Sequence, residues 1–381
     1  MTFDNRPMRV LFVNHGAIIG GAETNLLNIL KYAPEGGFEP VGVLVPHDGP
    51  LVAEVRKLGI DVGQISYHAF HWRNPFRYTQ TLAQLVIWIR RTRPAVIHLN
   101  HQWLISHIVQ AGIITRTPVV CHTRNYLDES FVHSQRRWLG RAQAIVVESK
   151  AVKQRSQELQ LPEDRLKLIY NGADVDRFYH AKSAANLSSR NQNRTGPIVG
   201  FSGRIVPEKG PEDLIMAIPL VLREVPSARF CIVGEDQDKG LFVKHLKSIA
   251  AELDVKQSVE FLGFRSDVEK LLRDFDVLAI PSRTSMSEGL PLTALEGLAA
   301  GCLVVATPNS GIPEVILHNE TGFLVTSDDP ESLAQGVIRA LTLPDFAAEG
   351  LRQAGQDLVM RRFTIQRQVI ELGQLFRENA L

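Results

Sequence analysis

A repeated alternation of short apolar runs with helix-like segments restricts the fold of this 381-residue chain more than any other feature. The runs are rich in β-branched residues, which suits strands that are buried on both faces of a sheet. Helical patterns separate them, as in βαβ units of a parallel, doubly wound sheet. In the first half the runs are residues 8–15, 41–45, 96–99, 118–122 and 144–148. The sequence therefore predicts an α/β fold.

One break in composition divides the chain. Residues 181–196 (AKSAANLSSRNQNRTG) are polar, rich in Ser and Asn and poor in bulky apolar side chains, as expected of a linker. A chain of this length has room for two domains with substantial cores. We expect domains at residues 1–180 and 197–355, and a last helix at residues 356–381.

The overall charge is close to neutral, at +1, but it is unevenly distributed. Residues 1–180 contain 21 Lys and Arg against 15 Asp and Glu, and the remaining residues contain 21 against 26. Ten of the twelve histidines also fall in residues 1–180. This asymmetry indicates two units with different partners. The basic residues form no continuous stripe, so no nucleic-acid partner is expected.

The composition is that of an ordinary globular protein, with 44% hydrophobic and 22% charged residues. The first strand follows the N-terminus directly and no run of eighteen apolar residues occurs, so we expect a cytoplasmic protein. Cys121, Cys231 and Cys302 occur in apolar surroundings without metal-ligand spacing. We expect buried free thiols and no metal site.

Residues 278–307 read as a strand, a polar loop, a helix and a second strand. Glu288 comes before the helix, Pro291 suits its first position, and Glu296 lies about one turn inside. The N-terminus of a helix favours phosphate, and a carboxylate can accept hydrogen bonds from both hydroxyls of a vicinal diol. The pattern thus fits a nucleotide-sugar site. The residues alone leave open that Glu288 caps the helix and that Glu296 meets a surface lysine.

Two motifs carry a family resemblance. The spacing Glu288-x7-Glu296, followed by Gly301 and the strand at residues 304–305, resembles the retaining glycosyltransferases of the glycogen-synthase-like and sucrose-synthase-like group, family four. Residues 203–210 (GRIVPEKG) are similar to that family's Gly-Arg-x4-Lys-Gly loop. Arg and Lys suit this loop because the charge of a departing nucleoside diphosphate must be neutralised.

The resemblance implies roles for five side chains. Arg204 and Lys209 would stabilise the departing diphosphate, Glu288 would bind hydroxyls of the donor sugar, and Glu296 would bind the ribose diol. His122, in the segment HTRNY, would lie near the reacting carbon. Taken without the resemblance, His122 would more often be a structural histidine. Solvated surface charges are the alternative interpretation of the two cations.

The resemblance also implies further contacts to the donor. Gly20 and Gly21 open the segment GGAE, which would face the diphosphate and the donor sugar, although a plain strand-to-helix turn would also need these glycines. The remaining donor-binding positions are Gly203, Gly234, Phe264, Gly289, Leu290, Pro291 and Leu292.

For the whole chain the resemblance implies the GT-B architecture, with two Rossmann-like domains that face each other across a cleft. The first domain would bind the acceptor and the second the donor, and the last helix would pack back on the first. The donor would be a nucleoside diphosphate sugar, with UDP or GDP as the nucleotide and without a metal or other cofactor. The acceptor would be a hydroxyl of a glycan, a lipid-linked sugar or a small molecule, and the anomeric configuration would be retained.

Aromatic and basic residues alternate in residues 68–94 and 131–141, as suits an anionic and partly apolar partner. A lipid phosphate or the inner face of a membrane would fit, and so would ordinary amphipathic helices with solvated arginines. Our candidates for acceptor contacts are Trp72, Arg73, Arg124 and Asn125.

Two other functions remain open from the sequence. A nucleotide-sugar 2-epimerase has the same architecture but usually lacks the two motifs above. A non-catalytic nucleotide- or glycan-binding scaffold would keep the fold and lose the charged residues of the two motifs. All four are present: Arg204, Lys209, Glu288 and Glu296. The loop at residues 283–287 is longer and more polar than the resemblance leads us to expect.

Overall fold

The computed structural model describes residues 7–68, 76–124, 127–179, 196–285 and 288–380. The chain divides into two compact units. The first contains residues 1–172 and 365–381, and the second contains residues 173–364. Each unit is built on its own parallel sheet.

The first unit has a seven-stranded parallel sheet in the order β3-β2-β1-β4-β5-β6-β7. Its central strands β4, β5 and β6 are buried along their whole length, which explains why they are apolar at nearly every position. The strands are β1 (Met8–Val13), β2 (Phe38–Val45), β3 (Val62–Gln64), β4 (Val96–Leu99), β5 (Val119–Thr123), β6 (Ala144–Val147) and β7 (Leu166–Leu168).

Helices cover both faces of this sheet. Leu85, Ile108 and Val132 come from three helices that pack on one face, and Leu26 and Val52 come from two that pack on the other. The helices of this part of the chain are α1 (Gly21–Tyr32), α2 (Pro50–Lys57), α3 (Phe76–Thr92), α4 (Ile105–Thr115), α5 (Glu129–Leu139) and α6 (Lys150–Glu158).

The second unit has a six-stranded parallel sheet in the order β10-β9-β8-β11-β12-β13. Its strands are β8 (Ile198–Ser202), β9 (Arg229–Val233), β10 (Val259–Gly263), β11 (Val277–Ile280), β12 (Leu303–Ala306) and β13 (Gly322–Leu324). Its helices are α7 (Val175–Phe178), α8 (Pro211–Glu224), α9 (Leu241–Glu252), α10 (Val268–Asp274), α11 (Leu292–Ala299), α12 (Pro330–Leu341) and α13 (Asp345–Arg362).

The last helix, α14 (Ile365–Asn379), belongs to the first unit. It begins at Ile365, later than residue 356, because residues up to Arg362 form α13 of the second unit. Phe363 then leaves the helical conformation, and its carbonyl accepts a hydrogen bond from Ala173 N (2.8 Å). On α14, Phe376 packs edge-on against Phe38, with ring centroids 5.2 Å apart.

The six strands of the second sheet follow the same order as the first six strands of the first sheet, and this locates the candidate sites. In each sheet the direction of winding reverses between the first and fourth strands, which are β1 and β4 in the first unit and β8 and β11 in the second. The loops after these two strands diverge, so a crevice forms at the carboxyl end of the sheet where ligands bind in doubly wound folds. The α/β class and the two doubly wound units expected from the sequence are confirmed.

Cys121 and Cys302 are buried, Cys231 is partly buried, and none of the three forms a disulfide among the described residues. No helix in the described ranges is both long enough and apolar enough to cross a membrane.

Candidate functional site

At the switch point of the second sheet, the loop after β8 meets the loop after β11. The ammonium of Lys209 forms an ion pair with the Glu288 carboxylate, and both side chains are largely buried. Ser282 Oγ donates a second hydrogen bond to Glu288 Oε1 (3.1 Å). The sequence motifs that contain Lys209 and Glu288 therefore meet in space.

Gly210 allows the two loops to approach each other. Its φ of +67° lies in the left-handed region, and a Cβ at this position would lie 2.0 Å from the carbonyl oxygen of Pro281. The glycine that follows Lys209 is therefore required by both conformation and space.

Arg283 joins the loop after β11 to the start of α8, and sequence reasoning did not single it out. Its Nε and Nη2 donate to the two carboxylate oxygens of Asp213 (3.0 and 2.6 Å), and Nη2 also donates to Glu212 Oε2 (2.9 Å). The hydrogen bonds that Arg283 donates to Asp213 and Glu212 raise its pKa above the usual range. The unusual polarity of the loop at residues 283–287 was a signal for this contact, but its partners are about seventy residues away in sequence.

Arg204 is exposed, in contrast to Lys209. Its Nη1 donates to Gln237 Oε1 (3.3 Å), a weak contact that a ligand could replace. The loops after β8 and β9 touch here, because a Cβ on Gly234 (φ +149°) would lie 1.7 Å from the oxygen of Gly203. Gly203 and Gly234 thus lie where the backbones of these two loops pass close to each other.

Glu296 is a partly buried carboxylate on α11. Burial raises its pKa to about 7; Arg177 opposes this rise, and Asp174 and Glu269 add to it. Arg177 is itself paired with Glu269 through Nε (3.1 Å) and Nη2 (2.7 Å).

The other donor positions of the second unit vary in accessibility. Phe264, directly after β10, is 63% exposed. The side chains of Leu290 and Leu292 are buried, and the carbonyl oxygen of Gly289 accepts a hydrogen bond from Gly311 N (3.0 Å).

The expectation that Pro291 takes the first helical position is wrong: Pro291 is the N-cap, with ψ 127°, and α11 begins at Leu292. Proline suits both positions because its φ is fixed near −65°.

In the first unit, Gly20 is the N-cap of α1 and Gly21 its first residue. The side chain of Glu23 turns back to this end of the helix. Its Oε2 accepts from Gly20 N (3.1 Å), and its Oε1 accepts from Asn14 Nδ2 (3.1 Å). The GGAE segment therefore closes its own helix end in part with a carboxylate.

His122 lies in the interior of the first unit. Its ring is fully buried and stacks on His98 with centroids 5.6 Å apart, and neither ring nitrogen has a hydrogen-bond partner among the described residues. Burial lowers the pKa of His122 well below its ordinary value, followed in effect by the charge of Arg124. This environment is that of a neutral structural histidine, and it gives the ring no contact with solvent.

Arg124 is also buried, at 5% exposure. Its Nη1 donates to Asn25 Oδ1 (2.7 Å) and Asn171 Oδ1 (3.0 Å), and its Nη2 donates to Asn100 Oδ1. The Glu148 carboxylate lies 3.7 Å from Nη1. These contacts join several segments of the first unit through the Arg124 guanidinium. The guanidinium is therefore not free to contact an acceptor. The other acceptor candidates, Trp72, Arg73 and Asn125, lie outside the described residues.

Comparison with known proteins identifies the family of this chain. The family models for Glycosyltransferase Family 4 and for glycosyl transferases group 1 match residues 19–177 and 183–357. An uncharacterized glycosyltransferase of Methanocaldococcus jannaschii is 32% identical over 347 residues, which is 85% of this chain and 86% of that protein. The chain belongs to glycosyltransferase family 4. The family expected from the sequence is confirmed.

Two further comparisons extend the assignment of this family 4 glycosyltransferase. HepE from Anabaena, solved in complex with UDP and glucose, superposes with a TM-score of 0.84 at 23% identity, covering 97% of this chain and all of that chain. This likeness confirms the GT-B fold. The GDP-mannose-dependent alpha-(1-6)-phosphatidylinositol monomannoside mannosyltransferase of Mycobacterium tuberculosis is 31% identical over 224 residues. That match spans 57% of each protein.

Proposed function

We propose that this family 4 glycosyltransferase moves a sugar from a nucleoside diphosphate sugar to a hydroxyl of an acceptor, with retention at the anomeric carbon. The observation that carries the proposal is the Lys209–Glu288 ion pair at the switch point of the second sheet. It joins a cation suited to a diphosphate with a carboxylate suited to sugar hydroxyls.

The donor would occupy the carboxyl end of the second sheet. Phe264 offers an exposed ring on which a base can stack, and Glu296 offers a carboxylate for the ribose diol. Lys209 and Arg204 lie in the loop after β8 and would bind the diphosphate, and Glu288 would bind the transferred sugar. Main-chain amides at Gly289 and beyond would add donors at the start of α11.

The proposed reaction needs no nucleophile from the protein. The bond between the anomeric carbon and the diphosphate oxygen breaks, and the acceptor oxygen bonds to the same face of that carbon. The acceptor proton passes to an oxygen of the departing diphosphate. Lys209 and Arg204 stabilise the charge on that diphosphate, so we propose that the reaction proceeds without a metal ion.

The nucleotide is proposed to be UDP or GDP. HepE is solved with UDP, and the mycobacterial relative is named for its dependence on GDP-mannose, so both bases have support among similar proteins. We propose the first unit as the acceptor-binding domain, with a glycan, a lipid-linked sugar or a small molecule as the acceptor.

A thermal-shift experiment with UDP, GDP and ADP, each with and without EDTA, tests the donor site. A ligand at one hundred times its Kd stabilises the folded state by about 2.7 kcal/mol, so one nucleotide should raise the Tm clearly, with or without EDTA. Lys209→Ala should abolish most of the shift. Lys244→Ala, which removes an exposed lysine from α9, should not change it. The donor site is refuted if no nucleotide shifts the Tm, and metal independence is refuted if EDTA abolishes the shift.

The stereochemistry needs a separate measurement. The anomeric proton coupling of the first-formed product, followed by NMR, should show the configuration of the donor sugar. An inverted product would contradict retention. Conversion of the donor sugar to its 2-epimer without any acceptor would instead identify an epimerase.

A further inference from the structure

The switch point of the first sheet carries a cluster of rings. The loop after β1 supplies His15, and the loop after β4 supplies His101 and Trp103. The His15 and His101 ring centroids lie 4.4 Å apart, and His101 stacks on Trp103 at 5.7 Å with an interplanar angle of 9°. Phe131 of α5 meets Trp103 edge-on at 4.8 Å. We call His15, His101, Trp103 and Phe131 the ring cluster.

Buried hydrogen bonds fix the loops that present the ring cluster. Asn100 Nδ2 donates to Asn14 Oδ1 (2.8 Å), which ties the residues just after β4 and β1 to each other. Arg124 donates through Nε to the Asn100 oxygen (3.1 Å), and its backbone N–H donates to Gln102 Oε1 (3.3 Å). Gln102 and Asn100 flank His101, and Gln102 precedes Trp103. The cluster is therefore preorganised, and a ligand would bind without ordering these side chains first.

The side chain of Trp103 presents a large apolar surface to solvent. It is 50% exposed, and it lies at the end of the sheet where ligands of doubly wound folds bind. A pyranose ring has one face of C–H groups that packs on an aromatic ring, and hydroxyls at its edge that need hydrogen-bond partners. An exposed indole beside polar ring nitrogens offers both kinds of contact.

The two histidines favour a neutral ligand. His15 Nδ1 and His101 Nδ1 are buried and have no hydrogen-bond partner among the described residues. Burial lowers the pKa of His15, and it lowers the pKa of His101 to about 2, aided by the charges of His15 and Arg124. Both rings are thus uncharged at neutral pH, and a neutral imidazole has one donor and one acceptor. Because each Nδ1 is buried, only Nε2 of each ring can contact a ligand. A neutral Nε2 can donate to or accept from a hydroxyl, whereas an unprotonated phosphate oxygen can only accept.

We propose that the ring cluster binds a neutral pyranose ring of the acceptor, with Trp103 as the surface on which the sugar packs. The identification of this ligand as the acceptor rests on the proposed function. It concerns only the first unit, so it can be tested apart from the donor site of the second unit.

Ligand-observed saturation-transfer NMR with methyl α-D-mannopyranoside and methyl β-D-glucopyranoside tests the proposal. At least one glycoside should receive saturation at its ring C–H protons from the wild-type protein. Trp103→Leu keeps an apolar side chain but removes the planar surface, and it should weaken binding at least tenfold, whereas Trp103→Phe should keep a measurable part. Phe76→Ala removes another exposed ring, 72% exposed on α3, and serves as the matched control, which should leave binding unchanged.

Each result supports or overturns the assignment. The absence of saturation transfer for both glycosides, or equal transfer in Trp103→Leu, would overturn it. A mannose 6-phosphate that binds at least tenfold more tightly than the methyl mannoside would overturn the preference for a neutral ligand.

The nucleotide thermal shift, measured on every variant, should be unchanged by Trp103→Leu. Its retention shows that the variant is folded, and if Trp103→Leu does not fold, Trp103→Phe against Phe76→Ala decides. Glycoside binding that depends on Trp103 in a protein with no nucleotide shift would refute the proposed function and leave this inference standing.

Discussion

At the scale of single residues, Glu296 provides a pH-dependent test of the donor site. Burial raises the pKa of Glu296 to about 7, so the carboxylate that would bind the ribose diol is mostly protonated at pH 6. We expect the affinity for UDP-glucose or GDP-mannose, whichever binds, to fall about tenfold from pH 8 to pH 6, which is about 1.4 kcal/mol. Isothermal titration calorimetry at several pH values measures this, and nucleotide sugars are used because their phosphates do not titrate in this range.

Glu296→Gln is the matched control, since it keeps the shape and removes the charge. The affinity of Glu296→Gln for the nucleotide sugar should be lower than that of the wild-type protein at pH 8 and independent of pH.

Glu296→Gln also tests the sign of the pKa shift through the pH dependence of folding stability. Because the folded-state pKa lies above the ordinary value of 4.5, the wild-type protein loses stability as the pH rises through about 7. Glu296→Gln should therefore be the more stable protein at pH 8, and an identical pH profile in both proteins would contradict the assignment.

Residue types were easier to predict from the sequence than their accessibility. The spacing in residues 203–210 and 288–296 identified Lys209 and Glu288, which the structure brings together. The segment HTRNY gave no sign that His122 and Arg124 are buried. In a parallel strand covered on both faces, the alternation of side chains does not separate a solvent side from a core side. The partners that bury them, His98 and Asn171 among others, come from other strands and loops.

At the scale of elements, Arg283 connects the loop after β11 to the start of α8. Arg283→Ala would leave Asp213, whose side chain is 7% exposed, without this partner in a low-dielectric site. We expect a loss of unfolding free energy of about 1–3 kcal/mol, measured by urea denaturation. Nucleotide affinity should also fall, because the loop carrying Lys209 is no longer held against the loop carrying Glu288.

A second ion pair provides the comparison for Arg283. Arg367 and Glu371 form a pair one turn apart on α14, with side chains 56% and 30% exposed. Arg367→Ala should change the unfolding free energy by no more than about 0.5 kcal/mol. Arg283→Lys should recover only part of the loss, since an ammonium cannot make the two-pronged contact with Asp213. Full nucleotide affinity in Arg283→Ala would contradict a positioning role.

The elements themselves were largely predictable, but their ends and their order were not. Apolar β-branched runs located most of the strands because burial on both faces leaves few polar positions. Their order in the sheet depends on contacts between distant segments, so periodicity could not give the shared order that defines both switch points. The end of α13 at Arg362 was missed for a similar reason, since the interruption at Phe363 is stabilised by Ala173.

At the scale of the whole molecule, the charge asymmetry is concentrated in one part of the first unit. From residue 62 to residue 127 the chain contains no Asp or Glu, and this stretch includes α3 and α4. Both helices run antiparallel to the strands they connect, so their C-terminal ends lie at the same edge of the sheet. Arg90 and Arg91 are in the last turn of α3, and Arg116 caps α4. Exposed Ile87, Ile113 and Ile114 accompany them.

This combination of cations and exposed apolar side chains suits an anionic membrane surface better than a neutral one. We expect the protein to sediment with vesicles that contain phosphatidylglycerol and to remain in solution with vesicles of phosphatidylcholine alone. Each arginine near such a surface contributes about 1 kcal/mol, so the triple variant Arg90→Gln, Arg91→Gln, Arg116→Gln should lower the partition coefficient on the order of a hundredfold. High salt should have a similar effect on the wild-type protein, because it screens the same charges.

A charge-matched triple variant in the second unit separates local from overall charge. Arg223→Gln, Lys244→Gln and Lys256→Gln remove three exposed cations from a unit whose charge balance is acidic. If vesicle binding depends on the C-terminal ends of α3 and α4, this variant should bind vesicles as the wild-type protein does. Equal loss in both variants would mean that only net charge matters. The arginines of α3 and α4 would then act as ordinary C-terminal helix charges, which favourably oppose the helix dipole without any partner.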